Sequence, residues 1–162
     1  MVADDFVDDE AQKLLGKIGV KLRIARQLTQ AFDLLDLHRL DPATGGQSTF
    51  AVSGQPGFVL PASDGAMIVG MDQSIHRFAD GAITDRVATI PMDPRNRLND
   101  GTVDAHGRLW CGSMDDGETA ATGAVYCVDR GRVSTVGGIC PITNGPAVSA
   151  DARTLYHVDT LA

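Results

Sequence analysis

At 162 residues the chain suits one domain with a sizeable core, and 43% hydrophobic with 22% charged residues is the make-up of an ordinary globular protein. A formal net charge of −7 argues against a surface of clustered Lys and Arg that would track phosphates, so no nucleic-acid partner is expected. No apolar run reaches membrane-spanning length, and the acidic start (Asp4, Asp5, Asp8, Asp9, Glu10) is unlike the basic head of a signal peptide, so the expected setting is the cytoplasm, with no membrane partner.

Residues 1–33 are predicted to form a helix-like N-terminal segment. Leu14, Leu15, Ile18, Leu22, Ala25 and Leu28 recur at steps of three and four, the period of an amphipathic helix. Asp8 or Asp9 can cap it, and Lys17, Lys21, Arg23 and Arg26 come late, where they suit the helix dipole. Gly16 and Gly19 oppose the helix, at about 1 kcal/mol each relative to Ala.

From Leu37 the period changes to alternation, and a repeat begins. Residues 58–70, 101–112 and 146–158 each read as strand, tight turn, strand. Their turn residues Gly65, Gly107 and Ala152 are separated by about 42 and about 45 positions, the spacing of propeller blades. A second hairpin follows in each unit: Ser74-Ile75-His76-Arg77-Phe78 turns at Asp80-Gly81, and Ala124-Val125-Tyr126-Cys127-Val128 turns at Arg130-Gly131. An earlier copy, Leu37-His38-Arg39-Leu40, turns at Thr44-Gly45. The abundance of glycine, 18 residues, suits such a turn-rich all-β chain. Residues 34–162 therefore read as part of a β-propeller, about three blades where closed propellers have about 4–8. Blades left open expose strand edges, which offers self-association through them as a partner interaction.

Cys111, Cys127 and Cys140 are odd in number and lack metal-ligand spacing, so buried free thiols are expected. His38 and His76 fall at equivalent strand positions and read as surface-facing blade residues, and Trp110 reads as core packing. No Ser or Cys stands in a nucleophile-elbow setting.

The densest polar clusters are Arg95-Asn96-Arg97-Leu98-Asn99-Asp100-Gly101 and, one repeat later, Ile142-Thr143-Asn144-Gly145. Both are expected in loops that enter inner strands, where Arg97, Asn99, Asp100 and Asn144 would converge on the propeller channel. Plain turn chemistry, with Asn and Asp bonding their own backbone, accounts for the same residues.

The run from Arg97 to Met114 resembles the signature of the sugar-lactone-hydrolysing family that includes gluconolactonase and regucalcin: Arg-x-Asn-Asp-Gly, Asp-x-x-Gly-Arg, then Gly-Ser-Met. Gly123-Ala124-Val125-Tyr126, Asn144-Gly145, Ser149-Ala150-Asp151, Leu155-Tyr156 and Asp159-Thr160 continue the likeness in order. The resemblance implies a six-bladed propeller that opens sugar lactones with one divalent cation, Ca²⁺ first, Zn²⁺ or Mn²⁺ otherwise. It further implies that Arg97 and Asn99 contact the substrate and that Asn144 gives an oxygen to the metal. An acid near Met114 joins the substrate in the family; Asp115, Asp116 and Glu118 are candidates, with Asp116 preferred. Two departures stand out. The family's metal-binding Glu lies in a Gly-Glu-x-Pro-x-Trp segment that does not occur here, and its metal-binding catalytic Asp would fall beyond Ala162, so the catalytic residue is unknown and the site is expected to be incomplete. The alternatives are a non-catalytic half-propeller that binds or assembles, and another hydrolase built on a related six-bladed propeller.

Overall fold

The structure, a computed structural model, describes residues 21–25, 35–137 and 139–160. Thirteen strands follow one another in antiparallel meanders. Strands β1 (Lys21–Ala25), β2 (Leu35–Leu40) and β3 (Gln47–Val52) form a three-stranded sheet. The next sheet has four, β4 (Pro56–Pro61), β5 (Met67–Met71), β6 (Ser74–Ala79) and β7 (Ala82–Thr89). So has the third, β8 (Asn96–Val103), β9 (Leu109–Asp115), β10 (Val125–Asp129) and β11 (Arg132–Thr135). Strands β12 (Thr143–Val148) and β13 (Leu155–Asp159) pair as a fourth sheet. Among the described residues no helix is long and apolar enough to cross a membrane.

Turn chemistry sets this order. Asp80 and Gly81 both take positive φ (52° and 84°), as do Arg130 and Gly131 (50° and 80°), the backbone of a type I′ hairpin whose twist matches its strands. The turns expected at Gly65, Gly107 and Ala152 are also left-handed. The hairpins therefore fall where the repeat put them.

The helix expected over residues 1–33 lies outside the described residues except at Lys21–Ala25, and these are extended. They form β1, with Lys21 opposite Leu40 and Ala25 opposite Asp36. Leu22 fits the helical period with Ala25 and the two-residue period with Ile24, and pairing along the edge of β2 decides between them. The first sheet thus begins before residue 34.

Neighbouring sheets pack face to face. Leu37 and Val52 of the first meet Val69, Met71 and Phe78 of the second. Phe58, Ile75, Ala88 and Ile90 meet Leu98, Leu109, Cys111, Tyr126 and Val128 across the next junction. All three cysteines are buried free thiols, and burial pushes Cys111 up to about 12. His38 and His76 are half-buried rather than surface-facing, with His38 Nδ1 3.1 Å from Thr49 Oγ1.

Strand β8 lies against β4 on one side and β12 on the other. Two glycines permit this. A methyl at Gly57 would run into the carbonyl of Leu98, and one at Gly112 into the side chain of Thr143. The amide of Leu98 donates to the carbonyl of Asp72 (2.6 Å), which ties β8 to the turn between β5 and β6.

The turn after β8 is organised by Asp104, whose carboxylate is fully buried. It accepts from the amides of His106 (2.9 Å) and Arg108 (3.0 Å), from Arg108 Nε (2.6 Å) and from Trp110 Nε1 (2.9 Å). Trp110 is therefore half-buried and hydrogen-bonded, where the sequence suggested plain core packing. Burial alone would raise the pKa of Asp104, but the bonds from Trp110, Arg108 and His106 hold it down to about 2.

A Gly57→Ala chain should lose about 1–3 kcal/mol in urea unfolding, because the obstructing atoms are backbone and cannot turn aside. With a folded pKa of about 2 against about 3.9 unfolded, Asp104 stabilises the fold above roughly pH 4, and that contribution disappears as pH falls towards 2. The stability gap between the wild type and Asp104→Asn should accordingly close over that interval, as measured by urea titration at each pH.

Candidate functional site

The polar clusters lie inside strands, not in the loops expected to precede them. Arg97, Asn99 and Asp100 belong to β8, and Asn144 to β12. Each strand is bulged at the cluster. The pairing of β8 with β9 steps from Leu98 to Asp100, leaving Asn99 as the extra residue, and that of β12 with β13 breaks between Asn144 and Ala147. A bulge re-aims side chains without ending the sheet, so polar groups occupy inner strands where regular alternation would not place them.

A chain of hydrogen bonds joins these residues. Arg97 Nε donates to Asp116 Oδ1 at 2.8 Å, and its Nη1 donates to the carbonyl of Leu98 (3.2 Å) and to Asn99 Oδ1 (3.0 Å). Asn99 Nδ2 donates to the carbonyl of Thr143 (2.8 Å) and to Asn144 Oδ1 (2.9 Å). Asn144 Nδ2 donates to Thr160 Oγ1. Asp100 anchors the second bulge by accepting from the amide of Gly145 (2.6 Å), a residue at φ 53°. Within the described residues, no hydrogen bond to the protein involves Arg97 Nη2.

The three acids near Met114 separate. Asp115 is buried and accepts from Thr119 Oγ1, the Thr119 amide and the Ala120 amide, bonds that hold its pKa below the usual carboxylate range. Glu118 sits exposed in a left-handed turn position. Asp116 meets Arg97; its side chain is 52% exposed where that of Arg97 is 16% exposed.

Arg97 and Asp116 line a cleft of about 530 Å³, with Gln55, Asp72, Gln73 and Arg95 among its other walls. Asn99 and Asn144 stand beyond it along the bond chain. Arg95 is tied to Asp93 through two bonds (3.1 and 3.0 Å), which hold the Asp93 carboxyl down to about 2. Gln73 donates to the carbonyls of Asp93 (3.1 Å) and Asn96 (3.0 Å), fixing the rim. Gln55 escaped the sequence reading, and Thr143 and Thr160 stood in its motifs without a role of their own. For Gln55 the missed signal was the repeat, since it occupies the register of Arg97 one sheet earlier.

The donors around Asn144 do not by themselves fit a divalent cation. Its amide oxygen already accepts from Asn99, the nearby Asp100 carboxylate is spent on the amides of Gly101 and Gly145, and among the described residues no three of His, Cys, Asp and Glu gather.

Residues 34–162 match the family model for the SMP-30/gluconolactonase/LRE-like region. The chain belongs to this family. It is 34% identical over 127 residues to a 6-deoxy-6-sulfogluconolactonase of Pseudomonas putida, which covers 76% of this chain and 44% of that protein. It is 31% identical over 128 residues to a pentonolactonase of Haloferax volcanii, covering 78% and 43%. Among solved structures, the calcium-binding protein regucalcin of Agrobacterium tumefaciens superposes with a TM-score of 0.71 at 30% identity, covering 78% of this chain and 43% of that one. The chain therefore spans less than half the length of these relatives.

Asn99→Ala removes two of the hydrogen bonds between β8 and β12 and leaves the one from the Gly145 amide to Asp100. It should lower stability by about 1–2 kcal/mol in urea unfolding, the cost of leaving the Thr143 carbonyl and the Asn144 amide without their donor.

Proposed function

We propose that this chain carries the substrate-holding part of a sugar-lactone hydrolase site, on about half of a six-bladed propeller. The observation that carries the proposal is the Arg97–Asp116 pair at a cleft wall, with the guanidinium held on Nε and Nη1 and open on Nη2. The names of the two lactonase relatives supply the reaction class.

A lactone presents a carbonyl oxygen, a ring oxygen and several hydroxyls. Arg97 Nη2 donates to the carbonyl or ring oxygen, and Asp116 accepts from a hydroxyl. Asn99 has both amide hydrogens committed, so its part is to hold Arg97, with one lone pair of Oδ1 left for a sugar hydroxyl. Opening the ring adds water across the C1–O bond, with one proton passing to the departing ring oxygen. Orientation of the carbonyl by fixed donors is what this chain contributes to that step. Asn144 would offer a divalent cation a single oxygen, shared with donors outside the described residues. No step here runs through the cation.

A second reading, a non-catalytic binding module of the same family, is favoured by the donor set around Asn144. One experiment separates the two. Hydrolysis of glucono-δ-lactone and of aldono-γ-lactones by the purified chain is followed in a pH-stat, with EDTA or with added Ca²⁺, Zn²⁺ or Mn²⁺. Turnover above the spontaneous rate is expected, with kcat/KM in Arg97→Ala down by about 10- to 100-fold, the worth of a hydrogen bond to a charged group. A folded sample that turns over no lactone in any of these solutions sinks the enzymatic reading of this chain and leaves the binding module.

A further inference from the structure

Gln55 immediately precedes β4, and its place in the repeat is that of Arg97. Phe58 pairs with Gly70 and Pro56 with Met71 in the second sheet; Asp100 pairs with Gly112 and Leu98 with Ser113 in the third. The residue before Pro56 and the residue before Leu98 are thus structural equivalents in successive sheets, and both line the same cleft. The Gln55 carboxamide has one orientation that suits its neighbours. With its oxygen towards Arg97 and its nitrogen towards Asp116, Oε1 lies 2.9 Å from Arg97 Nε and shares that atom's one hydrogen with Asp116 Oδ1 (2.8 Å), while Nε2 donates to Asp116 Oδ1 at 3.3 Å. The reverse orientation sets donor against donor and acceptor against acceptor.

The backbone of Gln55 is itself clamped. Its amide donates to Asp72 Oδ1 (2.8 Å), and its carbonyl accepts from the amide of Asp72 (3.0 Å), a residue at φ 49°. The carbonyl of Asp72 in turn accepts from the amide of Leu98 (2.6 Å), next to Arg97. One turn therefore fixes both the origin of Gln55 and the strand that carries its target.

We propose that Gln55 is a positioning residue that sets the Arg97–Asp116 pair: its amide bridges Arg97 Nε and Asp116 Oδ1, fixing the angle at which Arg97 Nη2 meets the cleft. Its consequence for turnover rests on the lactone-hydrolase reading; the bridge itself does not. An amide serves here because it gives and takes one bond without adding charge. A carboxylate at position 55 would keep the bond to Arg97 and repel Asp116.

The test compares wild type, Gln55→Ala and the isosteric Gln55→Glu as full chains. It combines kcat and KM for the best lactone between pH 4 and 8 with ¹H–¹⁵N spectra of the arginine Nε–H groups, the Arg97 signal being assigned from Arg97→Lys. In Gln55→Ala, KM should rise about five- to tenfold with a smaller change in kcat, and the Arg97 Nε–H should exchange faster with water. In Gln55→Glu, KM should acquire a rise with pH, as the new carboxyl ionises beside Asp116, that the wild type lacks. An Arg97 signal unmoved in both variants overturns the proposal, whatever happens to melting temperature. If the wild type turns over no lactone, the hydrolase reading has failed while the arginine spectra still decide on the bridge. If Gln55→Ala does not fold, Gln55→Glu decides: an Arg97 Nε–H signal that shifts as the new carboxyl ionises supports the bridge, and one indifferent to that ionisation overturns the proposal.

Discussion

The close approach of three inner strands is the constraint on which the rest of this molecule depends. Strand β8 is flanked by β4 and β12; Gly57 of β4 stands against Leu98 of β8 and Gly112 of β9 against Thr143 of β12, and a side chain at either would force the strands apart. The approach is what brings a carbonyl of one sheet within reach of an amide of the next, as between Asp72 and Leu98. It also brings Thr143 Oγ1 to 3.0 Å from the carbonyl of Ser113. The polar contacts that join one sheet to the next at the candidate site cross these two seams. Gln55 reaches Arg97 across the first, and Asn99 reaches Asn144 across the second. An apolar cluster behind the first seam holds the second and third sheets at this separation, with Leu98 fully buried in it.

Along the seams the polar side chains form a relay of amides with a single guanidinium. Gln55, Asn99 and Asn144 each give and take bonds, so each fixes the orientation of the next without adding net charge. The Arg97–Asp116 pair and the Asp104–Arg108 pair make a useful contrast. Both join an arginine Nε to a carboxylate at hydrogen-bond distance. In the second pair the carboxylate is wholly buried and takes four donors, so it closes a turn and has nothing to offer a ligand. In the first, half the carboxylate is exposed and the guanidinium keeps donors unspent. The same two residue types thus close a turn in one place and leave hydrogen-bonding groups open at a cleft in the other, and the number of bonds already made tells them apart.

Much of the fold was legible because its punctuation is local. Asp80-Gly81, Arg130-Gly131, Gly65 and Gly107 dictate left-handed turns through their own chemistry, and the spacing between them reveals the repeat. Strand β1 was not legible, since five residues satisfy two periods at once and only the neighbouring edge selects one. The site was legible in composition but misplaced in structure. Asn-Asp-Gly and Asn-Gly read as turns, yet they are bulges within strands, and a bulge carries no signal beyond the turn-forming residues it borrows. Asp116 was separable from Asp115 only by its partner: Asp115 is claimed by Thr119 and Ala120 close in sequence, while Asp116 is claimed by Arg97, nineteen positions away.

Repetition explains how such a site arises at all. The second, third and fourth sheets each open with a bulged strand followed by a tight turn, so neighbouring sheets set equivalent positions side by side. Were positions 55 and 97 both arginine, they would set two guanidiniums against one another. Here the equivalents differ: position 55 holds a neutral amide and position 97 a cation, and the difference is what lets them bond. Gly70 and Gly112 are matched in register behind them, and each leaves room for a neighbouring side chain, Phe58 against the first and Thr143 against the second. A scaffold that repeats its backbone and varies its rim can hold a directional set of donors and acceptors without altering its core, and a ligand with a carbonyl at one end and hydroxyls along the other is the kind of molecule that such a directional set can tell apart.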